Sequence, residues 1–360
     1  LRALQYRSFG APPQVVDVPR PEPGPGQVLI RITAAGICHS DLHIMSVAEE
    51  HYRYGALPLT LGHEAAGIVV AAGAGANHFK TGTNVLVYGP WGCGVCRNCA
   101  AGQENYCTDS TGVRPPGIAV DGALAEYLLV DHERHLIPLG DLDPIQAVAL
   151  TDAGLTSYHS VKTSIDRLGP GTISVVIGAG GLGHLAIQII RAVGAATVVA
   201  VDVTSDKLAL ARSVGADHTV TAGPGAAAEI LHLSRGRGVD AVFDFVGSEA
   251  TVELAGRIAG TFSDINVVGV GRGTLPVGYR RLPFETSVRS SFWGSRSELW
   301  EVVDLAHAGK LAVTVQTYTL DQASAAYDQL ARGDILGRAI VVPEISIDRP
   351  GASTGLGMGM

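Results

Sequence analysis

In the first part of the chain, apolar and polar positions alternate over short stretches: Gln27 to Ala34, Glu64 to Ala72 and Leu124 to Val130. A period of two predicts strands with one buried face. Turn-rich segments separate them, the densest being Pro19-Arg20-Pro21-Glu22-Pro23-Gly24-Pro25-Gly26. The expected form is an antiparallel barrel or sandwich with long connections. From about Ser160 the texture changes. Continuous apolar runs at Ile173–Ile177, Thr197–Val201, Val239–Phe245 and Ile265–Val270 now alternate with helical segments. Runs rich in β-branched residues with helices between them predict a parallel sheet covered on both faces. After about Phe292 the pattern predicts a helix over Glu298–Ala308, closed by Gly309 and Lys310, then a helix over Leu320–Ala331 and a strand over Ala339–Val342. Beyond Pro343, the stretch Asp348–Met360 is rich in Gly, Ser and Thr and reads as a flexible tail. The chain shows no internal repeats.

Length and composition narrow the class. A chain of 360 residues exceeds one ordinary core and predicts two domains. With 46% hydrophobic and 17% charged residues it reads as a compact globular protein and not a disordered one. A formal net charge of −8 offers no basic surface for nucleic acid. The longest apolar runs stop well short of the roughly 20 residues that span a bilayer. Nothing resembles a signal peptide, since Leu1-Arg2-Ala3-Leu4-Gln5-Tyr6 already alternates like a strand. The missing initiator Met is what a trimmed chain would show. Of five cysteines, four fall between Cys93 and Cys107 and Cys38 stands alone. An odd, clustered set argues for metal ligation in a reducing compartment, with the cytoplasm expected, over a disulfide framework.

The first candidate chemistry is a dinucleotide site. The run Val175-Val176-Ile177-Gly178-Ala179-Gly180-Gly181-Leu182-Gly183 holds a GxGxxG pattern, which is weak alone in a chain with 46 glycines. Its context strengthens it. A strand precedes it, and a helix follows with apolar Leu185, Ala186, Ile189, Ile190 and Val193, ended by Gly194. Gly178 permits the tight turn, Gly180 lets the backbone approach a pyrophosphate, and Gly183 lets helix and strand pack closely. The helix N-terminus then offers unpaired N–H groups and positive dipole to phosphates. Asp202 lies 24 positions after Gly178, where an acid accepts hydrogen bonds from ribose hydroxyls. Val203-Thr204-Ser205 brings no base for a 2′-phosphate, so NAD is expected over NADP; Lys207 can add a bond to the ribose.

Two metal sites are expected. Cys93, Cys96, Cys99 and Cys107 follow the spacing CxxCxxCx7C, with Gly92, Gly94 and Gly102 allowing the backbone to fold around a point. Four thiolates with no open position make a closed structural zinc site. An iron–sulfur cluster is the rival. No Pro follows the last cysteine and there is no second cysteine set, which favours zinc. For an open, catalytic zinc site, Cys38 in Gly36-Ile37-Cys38-His39-Ser40-Asp41-Leu42-His43 and His63 in Leu61-Gly62-His63-Glu64 supply two ligands. The third is Glu64 or Asp152, the latter in Leu150-Thr151-Asp152-Ala153-Gly154.

Taken together, these segments resemble the zinc-dependent medium-chain alcohol dehydrogenase family in order and intervals, over nearly the whole chain to about Pro343. The resemblance is nearest to bacterial secondary-alcohol dehydrogenases and aryl-ketone or aldehyde reductases. It implies an α/β protein with a GroES-like β-barrel catalytic domain (residues 1–153 and 291–343) and a Rossmann doubly wound NAD-binding domain (154–290), followed by the tail (344–360). It implies Cys38 and His63 as ligands of the catalytic zinc, Asp41 orienting His63 from behind, and Glu64 as a carboxylate able to approach the metal. Many members carry a cysteine as third ligand near the start of the Rossmann domain; here Asp152 fills that place. Ser40 would hydrogen-bond the alcohol and His43 would complete a proton relay to solvent, while His39 and Arg338 fall where members contact the pyrophosphate. Tyr54, Phe292 and Trp293 are candidates for the substrate pocket, with core packing an equal reading. The implied reaction is hydride transfer between an alcohol and NAD, giving a ketone or aldehyde, and it is reversible as carbonyl reduction. The implied cofactors are two zincs per chain and NAD(H). The implied partners are a small alcohol, ketone or aldehyde and further copies of the chain, a homotetramer being the family's usual bacterial habit. A polyol or sugar dehydrogenase on the same scaffold, and a non-catalytic NAD-binding relative, are the alternatives.

Overall fold

The computed structural model describes residues 1–343; the predicted tail over 344–360 lies outside the described residues. The strand Val28–Ile37 is the hub of a seven-stranded sheet. It pairs antiparallel with Glu64–Ala72, Tyr127–Val130 and Arg338–Val341. Asn84–Val87 and Leu136–Pro138 extend the sheet on one side. On the other side Val315–Tyr318 lies parallel to Arg338–Val341, which the intervening helix Ala323–Arg332 makes possible. Arg2–Tyr6 forms a second, three-stranded sheet with Gln14–Asp17 and Leu59–Thr60. Alternation drives these pairings, since inward positions such as Ile30, Ile32, Val69 and Val85 are buried together.

Six parallel strands form the other sheet: Ile173–Ile177, Thr197–Asp202, His218–Thr221, Val239–Asp244, Ala259–Val267 and Ser287–Ser290. Counted in chain order they lie 3-2-1-4-5-6, the doubly wound Rossmann order. His218–Thr221 and Ser287–Ser290 have no apolar run because one borders the sheet on each side and is only partly buried. The fifth strand departs from expectation. It starts at Ala259 and stops at Val267, whereas the apolar run points to Ile265–Val270. Past Val267 the chain bends away, and the Val268 and Gly269 amides donate to the Asp244 carbonyl. Helix Ala153–Lys162 and helix Arg296–His307 pack on each other. One apolar core runs through them, from Leu86 and Ile137 of the barrel to Val176 and Leu185 of the Rossmann unit. Among the described residues no helix is long and apolar enough to cross a membrane.

Candidate metal centres and dinucleotide cleft

The register of the hub strand assembles the first centre. Gly36 lies opposite Glu64, so the chain segments carrying Cys38 and His63 leave the sheet at the same end. Gly36 has to be glycine, because a Cβ there would lie 1.6 Å from Glu64 Oε2. Cys38 caps helix His39–Ser46, and Asp152 caps helix Ala153–Lys162 after the turn Val148–Thr151. One donor atom each from Cys38, His63 and Asp152 lies within 4.8 Å of the others. Cys38 Sγ is 3.7 Å from Asp152 Oδ2, which is 3.5 Å from His63 Nε2. A tetrahedral zinc with ordinary bond lengths would set these edges at about 3.5 and about 3.4 Å. Both edges match that ion, and the third donor pair lies within 4.8 Å.

The surroundings fix each donor. Asp41 Oδ1 is 3.0 Å from His63 Nδ1, while its Oδ2 accepts from the Cys38 amide at 3.0 Å and the Tyr327 hydroxyl at 3.0 Å. This aims His63 Nε2 at the centre. Burial opposes ionisation of Asp152, yet His63, Arg338 and Thr156 together hold its carboxyl at about 2. Glu64, the alternative third ligand, is not brought to the cluster. Arg338 grips both Glu64 oxygens, Nε to Oε2 at 3.1 Å and Nη2 to Oε1, and the Ala153 amide donates to Oε1 at 3.2 Å. Arg338 Nη2 also reaches Asp152 Oδ2 at 3.3 Å. The guanidinium expected at a pyrophosphate is thus buried and committed to two acids, although a Cβ on Gly181 would still meet its Nη1 at 2.9 Å.

In the second centre Cys93 Sγ is 3.9 Å from Cys99 Sγ, and Cys96 Sγ is 4.0 Å from Cys107 Sγ. A zinc tetrathiolate has sulfur–sulfur edges of about 3.8 Å. All four sulfurs surround one point, which leaves no room for the several irons of a cluster. The four thiols are not paired in disulfides.

The glycine loop follows strand Ile173–Ile177 and opens helix Gly183–Val193. Gly178 has φ of 86°, and a Cβ on Gly183 would lie 1.9 Å from the Gly178 carbonyl oxygen. Leu182 caps the helix, and its carbonyl accepts from Ser157. Asp202 ends the second strand, where Oδ2 accepts from the Ala179 amide at 2.8 Å and Oδ1 from the Val203 amide at 2.7 Å. Beyond the ribose role read from sequence, this carboxylate shapes the loop itself. His39 is held below its usual pKa by burial, then by the charges of Arg338 and Lys207. Arg338 and Lys207 thus lie near enough to His39 for their charges to act on it, and Arg338 also borders Gly181.

Known proteins share this layout. The alcohol dehydrogenase GroES-like domain matches residues 24–141, and the zinc-binding dehydrogenase domain matches residues 181–308. An NAD-dependent alcohol dehydrogenase of Sulfurisphaera tokodaii is 37% identical, covering 95% of this chain and 100% of that protein. The chain belongs to the zinc-dependent medium-chain alcohol dehydrogenase family. A D-arabinose 1-dehydrogenase (NADP(+)) of Saccharolobus solfataricus is 33% identical, over 95% of this chain and 97% of its own. The crystal structure of the alcohol dehydrogenase from Aeropyrum pernix superposes with a TM-score of 0.89 at 34% identity, covering 95% of this chain and 100% of that one.

In this family member, Ser40 Oγ lies 3.6 Å from Cys38 Sγ, beside the first centre. His43 is three residues further along the same helix, on the same face, and meets Tyr54 edge-on at 6.5 Å. Phe292 is half exposed, whereas Trp293 is buried with its ring edge-on to His63 at 5.6 Å. Sequence reading missed Glu104. It accepts from the Gly92 amide at 3.1 Å and from Arg134 at 3.2 Å, and lies 2.9 Å from His135 Nε2, tying the cysteine lobe to the barrel. Burial pushes its carboxyl up, but these partners hold it at about 2. A lone acid between two cysteines carries no periodic signal, so only the fold reveals it. Tyr327, which anchors Asp41, was equally invisible at a sequence separation of 286.

Proposed function

We propose that this family member is an NAD-dependent alcohol dehydrogenase that oxidises a secondary or aryl alcohol to the ketone or aldehyde, and reduces the carbonyl in the reverse direction. The observation that carries this reading is the Cys38–His63–Asp152 cluster with Ser40 at its side, joined to the glycine loop by Arg338, which bonds Asp152 and borders Gly181. When bound, zinc in this cluster supplies Lewis acidity to the substrate oxygen, and NAD⁺ accepts the hydride. A second zinc in the four-cysteine lobe is structural.

The chain's own residues do the rest. Cys38 and Asp152 contribute two negative charges and His63 a neutral imidazole, so the ligand set balances a divalent ion. Asp41 keeps His63 in the tautomer that presents Nε2. Ser40 would take the hydroxyl proton of the alcohol as it gives up its own toward His43, which on the same helix face would pass a proton to solvent. The carbinol carbon thus loses a hydride to the nicotinamide and its oxygen a proton to water. Asp202 would bond the ribose hydroxyls and repel a 2′-phosphate. Tyr54 beside His43 and the half-exposed Phe292 would offer aromatic surface to apolar substrates, with Trp293 buried behind Phe292.

Initial rates with primary, secondary and aromatic alcohols and with aldoses, each with NAD and with NADP, test the reading. Turnover confined to aldoses would move it to the sugar dehydrogenases, a reading favoured by the D-arabinose 1-dehydrogenase relative. No turnover with any substrate by protein that holds zinc would make it a non-catalytic relative. Asp202→Gly is expected to raise KM for NAD about ten- to a hundredfold, the worth of a hydrogen bond to a charged group, and to narrow the gap to NADP. A wild-type preference for NADP would remove this role of Asp202.

A further inference from the structure

Trp293 is the first bulky buried residue after the chain leaves the Rossmann sheet at Ser290, and its backbone is out of the ordinary. Its φ is 53°, in the left-handed region that a large side chain adopts only when its surroundings hold it there. Those surroundings are specific. The indole N–H donates to the Thr151 carbonyl at 3.0 Å, and Thr151 is the residue before Asp152. The ring stands edge-on to His63 at 5.6 Å and 78°. Its outer edge fills the space over Gly89, where a Cβ would lie 2.3 Å from Trp293 Cζ2. The next residue is pinned as well, because the Tyr88 hydroxyl donates to the Gly294 carbonyl at 2.8 Å.

One side chain therefore reaches two of the three donor segments of the first centre, at separate points in the sequence. We infer that Trp293 is a positioning residue for the metal: its indole clamps the His63 ring on one side and the Thr151–Asp152 peptide on the other, so that both donors stay at coordinating distance. A residue that served only as pocket wall would need neither the buried N–H···O bond nor the left-handed backbone. Strain at this position is held by the Thr151 bond, the packing over Gly89 and the pinned Gly294 carbonyl, as expected where it maintains a site's geometry. The inference rests on the proposed metal role of Cys38, His63 and Asp152.

Zinc release from the loaded enzyme into excess chelator, read with a colorimetric indicator, tests the clamp. Cys38→Ser identifies the phase that belongs to this centre. Trp293→Phe keeps a ring beside His63 but deletes the N–H donor, leaving the Thr151 carbonyl unpaired. It is expected to speed that phase about tenfold, with the four-cysteine phase unchanged. Trp293→Leu removes both contacts and is expected to speed it further and to shift the visible absorption of cobalt placed in the centre. Should the Leu variant fail to fold, Trp293→Phe decides alone. Wild-type release rates in the variants, with only the preference for bulky substrates altered, would overturn the clamp and leave a pocket wall. A wild type that holds zinc only in the four-cysteine lobe would overturn the metal assignment itself, and stoichiometry shows that before any Trp293 variant is made.

Discussion

Asp152→Asn is expected to leak zinc under mild chelation and to lose more than about a hundredfold in turnover, a larger loss than removing a group that merely orients a ligand. The change keeps the side chain's shape and removes one of two negative charges facing the metal. It also strips Arg338 of one of its two acids. Glu64→Gln should act differently. Glu64 is paired with Arg338 and lies outside the donor cluster, so zinc should stay bound. The buried guanidinium would then lean on Asp152 alone, lowering stability on the order of 3 kcal/mol. Metal titration and thermal melts of the two variants separate these outcomes. Full zinc in Asp152→Asn together with loss in Glu64→Gln would exchange the roles of the two acids.

Cys99→Ser should have the largest effect on the fold. A closed four-sulfur zinc site contributes roughly 10 kcal/mol or more in small zinc domains, and the four sulfurs here lie close together, with two opposite edges of tetrahedral length. Breaking it should lower the melting temperature by about 10 °C or more and cut soluble yield. The zinc content should fall from two per chain to one. Cys38→Ser should give the same zinc count with the melting temperature nearly unchanged and turnover abolished. Elemental analysis of the wild type that finds iron, or a single zinc, would defeat this pairing of sites.

How much of the molecule is legible in its sequence depends on how local each signal is. Strands Glu64–Ala72 and Ile173–Ile177 occupy the residues that their patterns point to, because a period of two or a short apolar run bounded by turns is written within the element. The four-cysteine lobe and the glycine loop are equally readable, since each is one contiguous segment whose spacing already contains the geometry. The two polar border strands and the end of the fifth strand are not, because neighbours across the sheet decide them. The donor cluster shows the division most clearly. Sequence points to Cys38, His63 and two acids, but cannot choose between Glu64 and Asp152. In the fold Arg338, 274 positions from Glu64, pairs with both Glu64 oxygens and one Asp152 oxygen, and of the two acids only Asp152 also faces Cys38 and His63, which is what favours it in the proposed ligand set. Trp293 is the same lesson in apolar form: its composition fits wall or core alike, and only its left-handed backbone and its bond to Thr151 show what it touches. Periodicity and spacing act within a segment, whereas buried ion pairs and side-chain clamps join segments far apart, and those exist only once the chain has folded.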